Sequence, residues 1–286
     1  QGYWFAALEI ASVLALFLGR PGTAFRLARR ARRLKRRFDR DFWLPEEGFL
    51  AFGLDADKRP VRTPVSNAGH CLASGIVARR RVPQLVERLF APDLFSGWGI
   101  RTLSADNPSY NPLSYHLGSV WPVENGTILL GLRRYGCDAR ALELATALRD
   151  LAALWPGGRV PECVGGHPRG AAAHPGSYAR ANAPQAWNQS VWPLLVQSLL
   201  GLQPLAPLGA LGVDPILPEW LPELEVRGLR VGGGEVDLRF HRDRRGRSRF
   251  AVLARRGRRL RVVRQPPVND LGVGPLGRLG ALLRRS

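Results

Sequence analysis

The run NPLSYHLGSVWPVEN, residues 111–125, gathers a phenol (Tyr115), an imidazole (His116), a hydroxyl (Ser119), an indole (Trp121), a carboxylate (Glu124) and an amide (Asn125) at the head of an apolar stretch. Aromatic faces stack on the C–H face of a pyranose ring, and the neighbouring polar groups can take its hydroxyls. A second run, GGRVPECVGG at 157–166, sets a lone carboxylate, Glu162, among glycines and small residues directly after Pro161. A carboxylate in such a loop can draw a proton from a water molecule attacking an anomeric carbon. The competing reading is an ordinary solvated acid.

Other residues stand at the edges of these runs. Trp98 lies between two glycines in GWGIRT, and we assign it with Trp121 to a sugar-facing role; Trp187 reads as core. Arg101 fits a structural ion pair and a hydroxyl ligand equally. His116 belongs with the site and His70, in SNAGH, with loop or cap architecture. Glu124 is either an acid favoured by a helix N-terminus or a sugar contact. Cys71, Cys137 and Cys163 are odd in number, with no CxxC and no His at ligand spacing, so neither a disulfide framework nor a metal site is expected. No motif calls for a cofactor, and the compartment expected is the reducing cytoplasm.

The net charge of +19 raises the question of a polyanion partner. It is concentrated in two places. Residues 26–40 hold nine basic groups against one Asp, and residues 225–286 hold seventeen Arg against five acids, leaving the segments with the site motifs near neutral. The basic tracts lack the interleaved aromatics that stack bases. A solvated face is therefore expected, with no nucleic-acid partner. The apolar run at 4–18 is too short for a span and contains Glu9, so no membrane segment is expected either.

The elements that must position these groups are mainly helical. Apolar residues recur at helical spacing over about 2–18, 22–38, 68–78, 81–91, 119–135, 138–154 and 185–201. Short turns join the first helix to the second, the third to the fourth and the fifth to the sixth. Long segments, 39–67, 92–118 and 155–184, join the rest and carry the aromatics, glycines and acids. In a ring of helical hairpins the long joints fall at one end, where a cleft would form. After about Leu211 the pattern turns to alternation broken by glycine, as in hairpins. The expected organisation is a helical domain over 1–211, a small β-rich appendage over 212–265, and an Arg-containing, loosely ordered tail over 266–286.

Taken in order, QGYWFAAL, SNAGHCLASGI, LFSGWGIRTLS, YNPLSYHLGSVWP, RVPECVGG, APQAW and LPEWL resemble the amylo-α-1,6-glucosidase, or glycogen-debranching-like, glycoside hydrolases, and more distantly mannosylglycerate-hydrolase-like, trehalase and glucoamylase folds. The resemblance runs from Gln1 to about Asp237. It implies a mainly α, partial (α/α)6 toroid that hydrolyses an α-glucosidic bond with inversion, acting on an α-glucan or a small α-glucoside. It places the general base on Glu162 and adds Gln185, of APQAW, to the substrate contacts. The family's general acid lies in a GRD-type segment that these 286 residues do not contain. With no Met, a start within a helical pattern and seven helices where a toroid needs twelve, the expectation is the C-terminal part of such an enzyme. Two departures bear on specificity: Val123-Glu124 replaces the usual His-Asp, and PECV replaces PELF. The rival readings are a non-catalytic carbohydrate-binding module and a hydrolase of a small glycoside such as glucosylglycerate, mannosylglycerate or trehalose.

Overall fold

In the computed structural model, which describes residues 1–170 and 174–265, the chain opens on α1 (Gly2–Phe17), rich in Ala and Leu with no internal proline. Phe5, Leu8, Ser12 and Ala15 form its buried stripe. Pro21, whose missing N–H costs nothing at a helix start, begins α2 (Pro21–Asp41). Ala24, Ala28 and Ala31 line the buried face of α2 and let α1 approach closely, while the arginines occupy its other faces. The hairpins β1 (Trp43–Leu44) with β2 (Phe49–Leu50) and β3 (Gly53–Leu54) with β4 (Pro60–Val61) fill the first long joint. Then come α3 (Asn67–Ser74), α4 (Val82–Leu89), α5 (Pro122–Tyr135), α6 (Asp138–Ala152) and α7 (Val191–Leu200).

All seven expected helical stretches are helical, with changes at their ends that have local causes. Helix α3 stops early because Gly75 takes a left-handed conformation, φ +82°. Helix α5 begins at Pro122, not 119. The stretch at 185–201 starts as a 3₁₀ turn over Trp187–Ser190 before α7, whose Pro193 falls in the first turn, where its missing donor is harmless. Among the described residues no helix is long and apolar enough to cross a membrane.

Helices α1, α3, α5 and α7 pack one against the next in a row, with α2 paired to α1 and α6 to α5. Leu72, Ile76, Leu85, Leu89, Ile128, Leu129, Leu132 and Leu144 fill the core between them. Glycine sets the α3–α5 spacing: a Cβ on Gly131 would lie 2.5 Å from the Ala73 backbone nitrogen and 2.8 Å from Leu72 Cβ. Gly131→Ala should therefore destabilise the fold by about 1–3 kcal/mol despite the better helix propensity of alanine. A denaturation midpoint equal to or above that of the parent would show that the two helices can separate freely.

In the C-terminal part, strand pairing begins at Gln203, nine residues before the expected boundary at 212. β5 (Gln203–Leu205) pairs antiparallel with β6 (Ala210–Val213), which is extended in parallel by the last strand. β7 (Glu223–Val231), β8 (Gly234–Arg242) and β9 (Ser248–Gly257) form an antiparallel meander, and β10 (Arg261–Arg264) returns to β6. Val236, Leu238 and Phe240 of β8 share a core with Leu200 at the end of α7. Leu221 touches both this core and the helical one. Arg133, 1% exposed, ties α5 to α7 through the Ser198 carbonyl (3.0 Å) and to the end of β6 through Asp214. The tail expected over 266–286 lies outside the described residues.

The candidate site at the long joints

The three long joints meet at one end of the helical row and are stitched by single bridges: Val65 to Leu103, Arg101 to Val120, Val120 to Val164, and Val164 to Ser177. Two buried side chains add cross-ties. Asn125 Oδ1 accepts from the Ile100 N–H (2.7 Å), and its Nδ2 donates to the Ile100 and Trp121 carbonyls (3.2 and 2.9 Å). Asn188 accepts from the Val123 N–H (2.8 Å) and donates to the Pro161 carbonyl (2.8 Å) and to that of Glu162. The start of α5, the 3₁₀ turn before α7 and the Glu162 loop are thus fixed to one another.

Glu162 is 7% exposed. The Tyr115 hydroxyl donates to Oε1 at 2.5 Å, and Asn182 donates to Oε2 from its backbone N–H (3.3 Å) and its amide (3.2 Å). Gln185 lies near enough to favour the charged form as well. Led by the Tyr115 contact, these donors outweigh burial and hold the carboxyl below its usual range, so it is ionised at neutral pH. The reciprocal effect, first of the Glu162 hydrogen bond and then of burial, pushes the Tyr115 phenol up to about 12. Tyr115→Phe removes the largest stabiliser of the anion, so Glu162 should titrate at higher pH in that variant. NMR titration of a 13C-labelled carboxyl checks this, and an unchanged or lowered midpoint would contradict it.

Tyr115 also stands in an aromatic cluster. Its ring lies 4.5 Å from His116, 4.7 Å from Trp121 and 5.3 Å from Tyr178, and His116 stacks on Trp121 with planes 6° apart. A cavity of about 880 Å³ opens on this cluster, with Tyr115, His116, Trp121, Glu124 and Trp187 in its wall. Glu162 is not among its lining residues and meets the wall through the Tyr115 hydroxyl. Glu124, in the first turn of α5, sits against His70 Nε2, and the Tyr3 hydroxyl bonds His70 Nδ1 at 2.7 Å.

The structure therefore brings Tyr115, His116, Trp121, Glu124, Gln185 and Glu162 together and removes three expected members. Trp98 is 4% exposed and packs with Val120, Leu151 and Val164 beneath the Arg169 guanidinium. Arg101, 1% exposed, spends its donors on the carbonyls of Gly166 (2.6 Å), Pro92 (2.8 Å) and Asp93 (3.1 Å). Asn125, fully buried, is a loop clip. Trp187 is the reverse correction: read as core, it is 55% exposed on the cavity wall. Tyr178, Asn182 and Asn188 were not foreseen; the NAPQAWNQS segment beside Trp187 was the available signal for Asn182 and Asn188. Among the described residues no group of three or more His, Cys, Asp or Glu could hold a metal ion.

Residues 1–164 match the family model described as mannosylglycerate hydrolase MGH1-like glycoside hydrolase domain. Among solved structures, one titled a sialidase superposes with a TM-score of 0.69 at 14% identity, covering 88% of this chain and 24% of the other. A GH78 family rhamnosidase from Bacillus sp. GL1 gives 0.63 at 17% identity, covering 92% of this chain and 26% of the other. A GH63 mannosylglycerate hydrolase from Thermus thermophilus gives 0.56 at 18% identity, covering 68% of this chain and 44% of the other. At these identities the likeness is one of fold, and this chain spans less than half the length of each of those proteins. A search of curated protein sequences finds no match.

Proposed function

This chain belongs to the mannosylglycerate hydrolase MGH1-like glycoside hydrolase family, and on that premise we propose that it carries the base half of an inverting α-glycosidase site. The observation that carries the reading is Glu162, a carboxylate held ionised by Tyr115, Asn182 and Gln185 at the edge of an aromatic-walled cavity. Its Oε2 accepts only the longer contacts from Asn182 and is the oxygen we assign to the attacking water. The stacked His116–Trp121 pair and the exposed Trp187 offer faces for a pyranose, and Glu124 a hydroxyl acceptor. The row α1, α3, α5, α7 is one sector of the inner ring of an (α/α)6 toroid, with residues 1–202 as its catalytic unit and 203–265 as an appendage. Three free cysteines fit a cytoplasmic setting.

For the substrate, the ordered motifs favour an α-glucan of the amylo-α-1,6-glucosidase type. The family description favours a second reading, a small glycoside such as mannosylglycerate. The test that needs only the base uses α-D-glucopyranosyl fluoride, whose leaving group departs without protonation. The expected result is fluoride release with β-glucose as the first-formed anomer, seen by proton NMR. Release no faster than in buffer, or α-glucose as the initial product, would reject the inverting assignment. Competition by isomaltose, maltotriose, trehalose and mannosylglycerate then ranks the two substrate readings.

A further inference from the structure

A second groove, also of about 880 Å³, lies where the start of α1, the C-terminal half of α2 and the β3–β4 turn meet. Leu8 and Phe38, both buried, lie at its base. Its walls carry Arg30, Arg33 and Arg37, spaced so that they share one face of α2, together with Lys58 at the tip of the β3–β4 turn. Among the described residues a single carboxylate, Asp41, lines the groove, and it is already taken by Arg40 at 2.6 Å.

Asp39, the other acid of α2, is spent on Arg80 and Arg81 outside the groove. Within the groove, Arg33, Arg37 and Lys58 make no ion pair among the described residues. Cations drawn together from two elements repel one another, and Asp41, shared between Arg40 and Arg37, offsets this only in part. Trp4, 52% exposed, adds an indole, with the Arg30 guanidinium 5.7 Å from its ring centroid. Successive base stacking would need several such platforms in line, whereas one pyranose needs only one.

The groove is also continuous with the site. It shares Gln1, Phe38 and Phe42 with a chamber of about 400 Å³, and that chamber shares Phe52, Val65, Asn67 and Glu124 with the aromatic cavity. We propose that this groove binds an acidic oligosaccharide, its carboxylates on Arg33, Arg37 and Lys58 and one ring on Trp4. The proposal rests on the glycosidase reading only for the sugar nature of the ligand; the anion site stands on its own geometry.

The experiment is calorimetric titration of the 286-residue chain with tetragalacturonate, with neutral maltotetraose and with single-stranded octathymidylate. Tetragalacturonate should bind, more weakly as sodium chloride is raised, and should lose about tenfold or more in affinity, ~1.4 kcal/mol, in the Arg33→Gln/Arg37→Gln double variant. Both arginines are exposed, so the variant should melt like the parent. Any maltotetraose binding should be untouched by it, and Glu162→Gln should leave tetragalacturonate binding unchanged. Equal affinity of the double variant and the parent would overturn the proposal. So would tighter binding of octathymidylate through the same arginines, which would make the groove a nucleic-acid site. Loss of fluoride release with tetragalacturonate binding intact would reject the catalytic reading alone.

Discussion

Glu162→Gln should lower fluoride release from α-D-glucopyranosyl fluoride by about 10²–10⁴-fold, the contribution expected of a positioned general base. The amide keeps the size of the carboxylate, and its oxygen can still accept from the Tyr115 hydroxyl, so the aromatic cluster around Tyr115 has no reason to move. What is lost is proton affinity at the oxygen facing the attacking water. That loss is felt only in the transition state, so kcat should fall while KM and oligosaccharide binding stay within a few-fold. Azide needs no deprotonation, and it should restore turnover to the variant, giving β-glucosyl azide. Glu124 supplies the control. It lines the cavity but sits against His70, so Glu124→Gln should change KM more than kcat. If Glu124→Gln abolished release and Glu162→Gln did not, the base would be Glu124 and not Glu162.

The helices were legible in the sequence because their signals are local: apolar spacing, a proline at a start, a glycine at an end. Glu162 stood out in the long 155–184 joint because Pro161 and the flanking glycines mark its place. The tryptophans were misread because the same signal has two physical causes. Glycines beside Trp98 suggested open space for a ligand, but they serve close packing: a Cβ on Gly97 would meet Arg169 Cβ at 2.7 Å, and one on Gly99 would meet Val120 Cγ1 at 2.7 Å. Trp187 lies in a stretch of helical spacing, where a tryptophan is usually core, yet it falls on a 3₁₀ turn that presents it outward. Asn188 acts on groups 26, 27 and 65 residues away. No local pattern encodes such a reach; only the convergence of the long joints creates it. The start of strand pairing at Gln203 was hidden likewise, since one partner of β6 is β10, from the far end of the described chain.

Arg101→Met should destabilise the protein by about 3 kcal/mol or more, lowering the melting temperature by roughly 10 °C. Methionine fills much of the same volume, so the effect isolates the lost hydrogen bonds. The guanidinium joins two joints that have no helix in common: its Nε reaches the Gly166 carbonyl and Nη1 reaches those of Pro92 and Asp93. Gly166 keeps a second donor, the Tyr110 hydroxyl at 3.0 Å, and Asp93 keeps the Ala105 N–H at 2.9 Å, whereas the Pro92 carbonyl loses its Arg101 donor with no replacement among the described residues. That orphaned carbonyl and the three lost charged hydrogen bonds together carry the penalty. Lysine should recover only part of it, because one ammonium cannot span the fork that a planar guanidinium makes. Were Arg101 a hydroxyl ligand, the variant would melt normally and show a raised KM. The opposite is expected: a lowered melting temperature, with sugar affinity of the folded molecules within a few-fold. Any fall in kcat would then come from looser placement of Glu162, which lies four residues before the carbonyl that Arg101 holds.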